Sequence, residues 1–176
     1  MSNCLITGAS GGVATALADL LRARGWRLAL ASRSDAITAA DGDTTIACDV
    51  STEAGARQAI DTASAYFGAP PDAVVNCAGA VLIAPIGRTS EAQYRDCLAA
   101  NLDSAFFMAK AYVAALQPQK RPGRLVFFSS VAAGVGVANH AAIAVAKGGV
   151  EALTRSLAAD FSSIGLRVNA IAPGLM

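Results

Sequence analysis

The stretch "CLITGASGGVA", residues 4–14, decides the fold. "CLIT" is a short apolar run of strand type. Behind it, "VATALADLLRARG" spaces Leu17, Leu20 and Leu21 at helical intervals and offers Gly25 as a stop. Between the two stand Gly8, Gly11 and Gly12. Glycines let the backbone turn sharply and approach a ligand without a Cβ in the way. A helix N-terminus presents free N–H groups and the positive end of its macrodipole to an anion. A glycine-rich turn leading from a strand into a helix therefore suits a pyrophosphate.

The same alternation continues to the end of the chain. "WRLALAS" (26–32) and "TTIACDV" (44–50) read as the second and third strands, and Ser51 as the cap of a helix running to about Phe67, closed by Gly68. "PDAVVNCAGA" (71–80) reads as the fourth strand. "SEAQ" (90–93) is a capping-box pattern opening a helix to about Leu116. "GRLVFFSS" (123–130) is the fifth strand, 139–163 the next helix and "LRVNAIAPG" (166–174) the sixth strand. Six strands, apolar almost throughout and alternating with helices, predict a parallel sheet covered on both faces. Right-handed crossovers make it a doubly wound α/β (Rossmann) sheet, with ligands at the carboxyl ends of the strands. The expectation is one domain over residues 1–176.

Composition excludes several classes. Hydrophobic residues make up 54% and charged residues 15%, too apolar for disorder, and a net charge of +1 gives no pull toward nucleic acid or anionic lipid. No uninterrupted apolar run reaches membrane-spanning length, and the start lacks the basic n-region of a signal peptide. Cys4, Cys48, Cys77 and Cys97 are too scattered for a metal site, so no metal is expected. They read as buried thiols of a reducing cytoplasm.

Taken in order, these motifs resemble the short-chain dehydrogenase/reductase family over the whole chain. "TGASGGVA" resembles its TGxxxGxG loop, with Ala14 for the last glycine. "CDV" (48–50) resembles its acidic adenine contact, carried by Asp49, and "NCAG" (76–79) its NNAG segment, with Cys77 for the second Asn. Asn101 in "ANLDSAF" falls where the family has its mid-helix asparagine. "FFSSVAAG" supplies its serine, as Ser130, and "RVNAIAPG" its late strand and Pro-Gly turn. The resemblance implies a cofactor site of Gly8, Ser10, Gly12, Arg33, Asp49, Val50, Asn76, Ala78, Gly79, Lys147, Pro173 and Gly174. It also implies that the chain stops at Met176, short of a substrate lid and a last strand, leaving the sixth strand as an open edge. Strand two ends at Ser32-Arg33, without the acid that holds the ribose hydroxyls of NAD(H). An arginine there suits a 2′-phosphate, so NADP(H) is expected, with NAD(H) as the alternative.

"HAAIAVAK" (140–147) breaks the pattern. In the family's YxxxK motif the tyrosine is the acid or base toward the substrate oxygen. The lysine lowers its pKa and holds the nicotinamide ribose. Counting back from Lys147 gives Ile143, which carries no proton. The family's enoyl reductases use YxxMxxxK, and that spacing puts His140 in the tyrosine position, on one helical face with Ile143 and Lys147. The expected catalytic set is Asn101, Ser130, His140 and Lys147, with His140 or a water as proton source. The function expected is hydride transfer to or from a small carbonyl, alcohol or activated alkene. The alternative is an impaired cofactor-binding or partner subunit. The resemblance further implies a homo-oligomer, dimer or tetramer, paired through the helices beginning near 90 and 139.

Overall fold

A computed structural model describes residues 1–34, 37 and 39–174. The chain's last two residues, including Met176, lie outside the described residues. Six parallel strands form one sheet: β1 (Asn3–Thr7), β2 (Arg27–Ser32), β3 (Thr44–Ala47), β4 (Ala73–Asn76), β5 (Gly123–Phe128) and β6 (Leu166–Ile171). Their spatial order is β3-β2-β1-β4-β5-β6. The order reverses between β1 and β4, which opens a crevice at their carboxyl ends. Register carries one row across the sheet just below that edge: Ala31, Thr7, Asn76, Phe127 and Ala170.

Alternation along the strands sorts the apolar residues onto two faces. Leu5, Ala29, Ala31, Val74, Leu125 and Phe127 pack under α2 (Glu53–Phe67), α4 (Ser104–Leu116) and α5 (Ala141–Asp160). Cys4, Ile6, Leu28, Leu30, Ala73 and Val75 pack under α1 (Gly12–Ala23). The surface α1 buries is made by Ala14 and Ala18 with Leu17 and Leu21 packed beside them, whereas Leu20 of the same stripe is half exposed. Small residues there let the helix lie close to β1, and Ala14 fits that packing.

Several boundaries move for physical reasons. Strands β3, β4 and β5 stop before the sequence pattern does, and after one last N–H bond to the neighbouring strand from Cys48, Cys77 and Ser129 the chain turns into loops. The cap of α2 is Thr52, which accepts from Gly55 N at 3.1 Å, because the Ser51 hydroxyl is committed to Asp49 at 2.7 Å. The helix opened by Ser90 has its capping box with Gln93, but it is not regular throughout. Helix α3 (Glu91–Leu98) passes through a π-helical segment, Ala99–Asp103, before α4.

Candidate active site

At the sheet's carboxyl edge a cleft of about 590 Å³ is lined by the loops after β1, β2, β3 and β4. Gly8 shapes its floor. Its φ is +64°, in the left-handed region, and a Cβ there would stand 2.6 Å from Ala78 N and 2.7 Å from the Cys77 carbonyl carbon. Only glycine lets the first and fourth loops touch. Gly12 differs, since a Cβ would meet nothing within 4 Å. Helix α1 starts from Gly11, which lines the cleft, with no side-chain cap, in contrast to α2 and α3, so among the described residues no side chain takes its first N–H groups.

Beyond β2 the wall is polar. The hydroxyls of Ser10 and Ser32 lie 3.2 Å apart, Ser34 N donates to Ser32 Oγ at 3.3 Å, and exposed Arg33 lines the same wall. Asp49 and buried Val50 face it from the loop after β3. Burial pushes the Asp49 carboxyl up, but hydrogen bonds from the Ser51 hydroxyl and N–H, with the charge of Arg33, outweigh it. The net shift is downward, so Asp49 is an anion. Ala78 and Gly79 complete the wall, whereas Asn76 does not reach it with its side chain. Asn76 is 3% exposed, accepts from the Thr7 hydroxyl and donates to Ser104 Oγ at 3.4 Å. It ties β1, β4 and α4 together beneath the cleft.

Asn101 and Lys147 come together beside Gly79. Within the π segment, Asn101 Nδ2 donates to the Ala80 carbonyl at 2.8 Å and to the Cys97 carbonyl at 2.9 Å. Lys147 Nζ donates to the Phe128 carbonyl at 2.8 Å. A Cβ on Gly79 would lie 2.8 Å from Asn101 Oδ1 and 3.6 Å from Lys147 Nζ, so both polar groups look past a bare Cα. Lys147 is buried with no carboxylate partner among the described residues, and burial pushes its pKa down, with Cys97 opposing. Burial likewise pushes the Cys97 thiol up, against the pull of Asn101 and Lys147.

Ser130 Oγ accepts from Ala132 N at 3.1 Å, which leaves its own hydrogen free to donate outward. The carbonyl of Pro173 accepts from Val131 N at 3.0 Å and seats the Pro173-Gly174 turn next to Ser130. Ile143 is 5% exposed and packs with Cys97, Ala142, Leu82 and Tyr94. His140 departs from expectation. Helix α5 begins at Ala141, so His140 is its N-cap rather than a member of the helical face of Ile143 and Lys147. Its Nδ1 lies 2.6 Å from the Ala138 carbonyl oxygen, so it must carry the proton there. That leaves Nε2 as the free nitrogen of the ring.

Sequence reasoning missed three supports. A Cβ on Gly55 would lie 2.0 Å from the Asp49 carbonyl oxygen, so this glycine seats α2 against the cleft wall. A glycine in the first turn of an otherwise regular helix was the available signal. Ser129 donates to Glu151 Oε1 at 2.8 Å and to the Lys147 carbonyl at 3.3 Å, locking α5 to the end of β5. Ser34, whose N–H donates to Ser32 Oγ at 3.3 Å, joins the wall within the loop after β2, a contact for which a linear sequence gives no sign.

A family model described as enoyl-(acyl carrier protein) reductase matches residues 8–176. D-threitol dehydrogenase of Mycolicibacterium smegmatis is 34% identical, over 96% of this chain and 68% of its own length. The 3-oxoacyl-(acyl-carrier-protein) reductase FabG of Escherichia coli is 32% identical, over 98% of this chain and 72% of its own. The corresponding reductase MabA of Mycobacterium avium is 31% identical, over 97% and 65%. The chain thus spans 65–72% of the length of these relatives. Among solved structures, an ElxO variant with NADPH bound superposes with a TM-score of 0.91 at 23% identity, over 99% of this chain and 73% of that one. At that identity the likeness speaks for the fold.

Proposed function

We propose that this chain, which belongs to the short-chain dehydrogenase/reductase family, is an NADP(H)-dependent oxidoreductase acting on a small carbonyl, alcohol or activated alkene. The observation that carries the proposal is the polar half of the cleft: a left-handed Gly8 loop, an uncapped helix end, and an arginine-serine wall in one cavity. A dinucleotide fits that donor set. The free N–H groups at the start of α1 suit a pyrophosphate. Arg33 with Ser10, Ser32 and Ser34 suits a 2′-phosphate, and the Asp49 anion suits an exocyclic amine. The NADPH of the ElxO variant supports the same choice, with NAD(H) as the alternative.

When bound, the nicotinamide supplies or accepts the hydride. The chain's own residues do the rest. Lys147, through its ammonium, and Asn101, through Oδ1, hold the ribose side of the site. Ser130 donates its free hydrogen to the substrate oxygen and fixes the reacting carbon. Exposed aliphatics surround that end, Val81, Ile83 and Ile86 on one loop and Val131, Val135 and Val137 on the other. The two loops are joined by Ala84 N donating to the Asn139 carbonyl at 2.9 Å. This rim supports an apolar substrate. Exposed Phe106 on α4 and Val145 on α5 support pairing of those helices in a homo-oligomer. Four free thiols suit a reducing cytoplasm. Among the described residues no helix is long and apolar enough to cross a membrane.

The burial of Ile143 supports a second reading, a cofactor-binding subunit without turnover. Incubation with NADPH deuterated at the transferring carbon, against diacetyl and cyclohexenone, separates the two. Deuterium on the reduced carbon supports the enzyme. Saturable binding with no transfer supports the silent subunit.

A further inference from the structure

We infer that Lys147 itself hands the proton to the substrate oxygen in this site. The inference rests on the oxidoreductase reading above and names the donor that reading lacks. Three positions of the segment 140–147 are candidates for the acid. Ile143, one helical turn before Lys147, is a hydrocarbon packed into the cluster of Cys97, Ala142, Leu82 and Tyr94. His140, the N-cap of α5, stands two helical turns before Lys147 and turns its Nδ1 back to the Ala138 carbonyl of the preceding loop. Lys147 Nζ has three hydrogens, of which the Phe128 carbonyl takes one. The ammonium lies 3.6 Å from the point where a Gly79 Cβ would be, and Gly79 lines the cleft. A side chain at 79 would close that approach, and glycine leaves it open.

The electrostatic setting agrees. No carboxylate pairs with the ammonium among the described residues. Glu151, one turn further along the same helix, takes the Ser129 hydroxyl instead. The ionisable group bearing on Lys147 from the packed helix α3 is the Cys97 thiol, whose own pKa burial raises. Desolvation therefore prevails and makes the ammonium a stronger acid than a surface lysine. In the reduction, the carbonyl carbon gains the hydride and its electron pair from the dihydronicotinamide, which is oxidised. The carbonyl oxygen bonds to a proton as an Nζ–H bond of Lys147 breaks. The neutral amine regains a proton from water.

The test compares wild type with Lys147→Arg and Lys147→Met. It measures NADPH affinity by fluorescence titration, turnover of diacetyl, and the titration of Lys147 by ¹³Cε NMR in protein without cofactor. Arginine keeps the charge and the donors but gives up no proton near neutral pH. At saturating NADPH its turnover should fall at least about a hundredfold, the usual worth of a general acid, and by more than its NADPH affinity falls. Methionine should lose both, and the wild-type ¹³Cε signal should titrate below the ordinary lysine range. An arginine variant turning over like wild type would overturn the inference, as would an ordinary lysine titration. Wild type that binds NADPH without reducing any carbonyl overturns the inference and spares the binding half of the proposal. Wild type that binds no NADPH overturns both.

Discussion

Gly8→Ala and Gly12→Ala should separate the part of the first loop that holds the fold from the part that serves a ligand. At Gly8 the new side chain meets two penalties. A residue with a Cβ at φ +64° costs about 1–2 kcal/mol. The methyl must also push the backbone of Cys77 and Ala78, which lies 2.6–2.8 Å away, and overpacking of that kind costs about 1–3 kcal/mol. Together these reach about 2–5 kcal/mol, a large share of the 5–15 kcal/mol by which a domain is stable. With a urea m-value of about 2 kcal/mol/M, the unfolding midpoint should fall by about 1–2.5 M. At Gly12 no atom lies within 4 Å of the new methyl, so stability should stay within about 0.5 kcal/mol of wild type or rise slightly. Its methyl stands on the open side of the first turn of α1, so NADPH affinity should fall instead. Urea unfolding followed by circular dichroism checks the first half, and a cofactor titration the second. Equal midpoints for the two variants would refute the reasoning.

Ile143→Tyr should lower stability by about 1–3 kcal/mol, because a larger side chain enters a nearly closed cluster with Cys97, Leu82 and Tyr94. It should nonetheless raise carbonyl turnover, read as initial rates on diacetyl, and a variant that is both stable and no faster would contradict this. Burial pushes the thiols of Cys4 and Cys77 up to about 12, so in native protein at pH 8 both should resist alkylation, with mass spectrometry showing rapid labelling only after unfolding. Asp49 has its folded pKa below the ordinary carboxylate value near 4, so its hydrogen bonds stabilise the fold fully above that value and are lost as pH falls through the lowered one. Asp49→Asn should therefore flatten the loss of stability below about pH 4, measured by thermal unfolding across pH.

The sheet was legible because its signals are local. An apolar run recurs six times, four of these runs lead on into a helix, and handedness leaves few ways to connect them. The cleft was legible for the same reason, since it lies where strands end. The residues misread are those whose state depends on a distant partner. "AANLD" is built of ordinary helical residues, and nothing in it announces a π segment. The segment holds Asn101 where its amide reaches the Ala80 carbonyl on another loop. Ser51 is as good a cap as Thr52 until Asp49 takes its hydroxyl. His140 sits seven residues before Lys147 as a motif requires, yet one residue outside the helix that would give that spacing its meaning. Asn76 lies in the right segment, but its side chain turns inward to Thr7 and Ser104.

The central claim is that the cleft beside Gly8 and Arg33 takes a phosphorylated nicotinamide dinucleotide. Isothermal titration of NADPH and NADH into the same preparation tests it directly. The account predicts saturable binding of both, with NADPH tighter by at least about tenfold, the ~1.4 kcal/mol that one charge-assisted phosphate contact can supply. Equal affinities would remove Arg33 and its serines as a phosphate site, and no heat with either nucleotide would contradict the account as a whole.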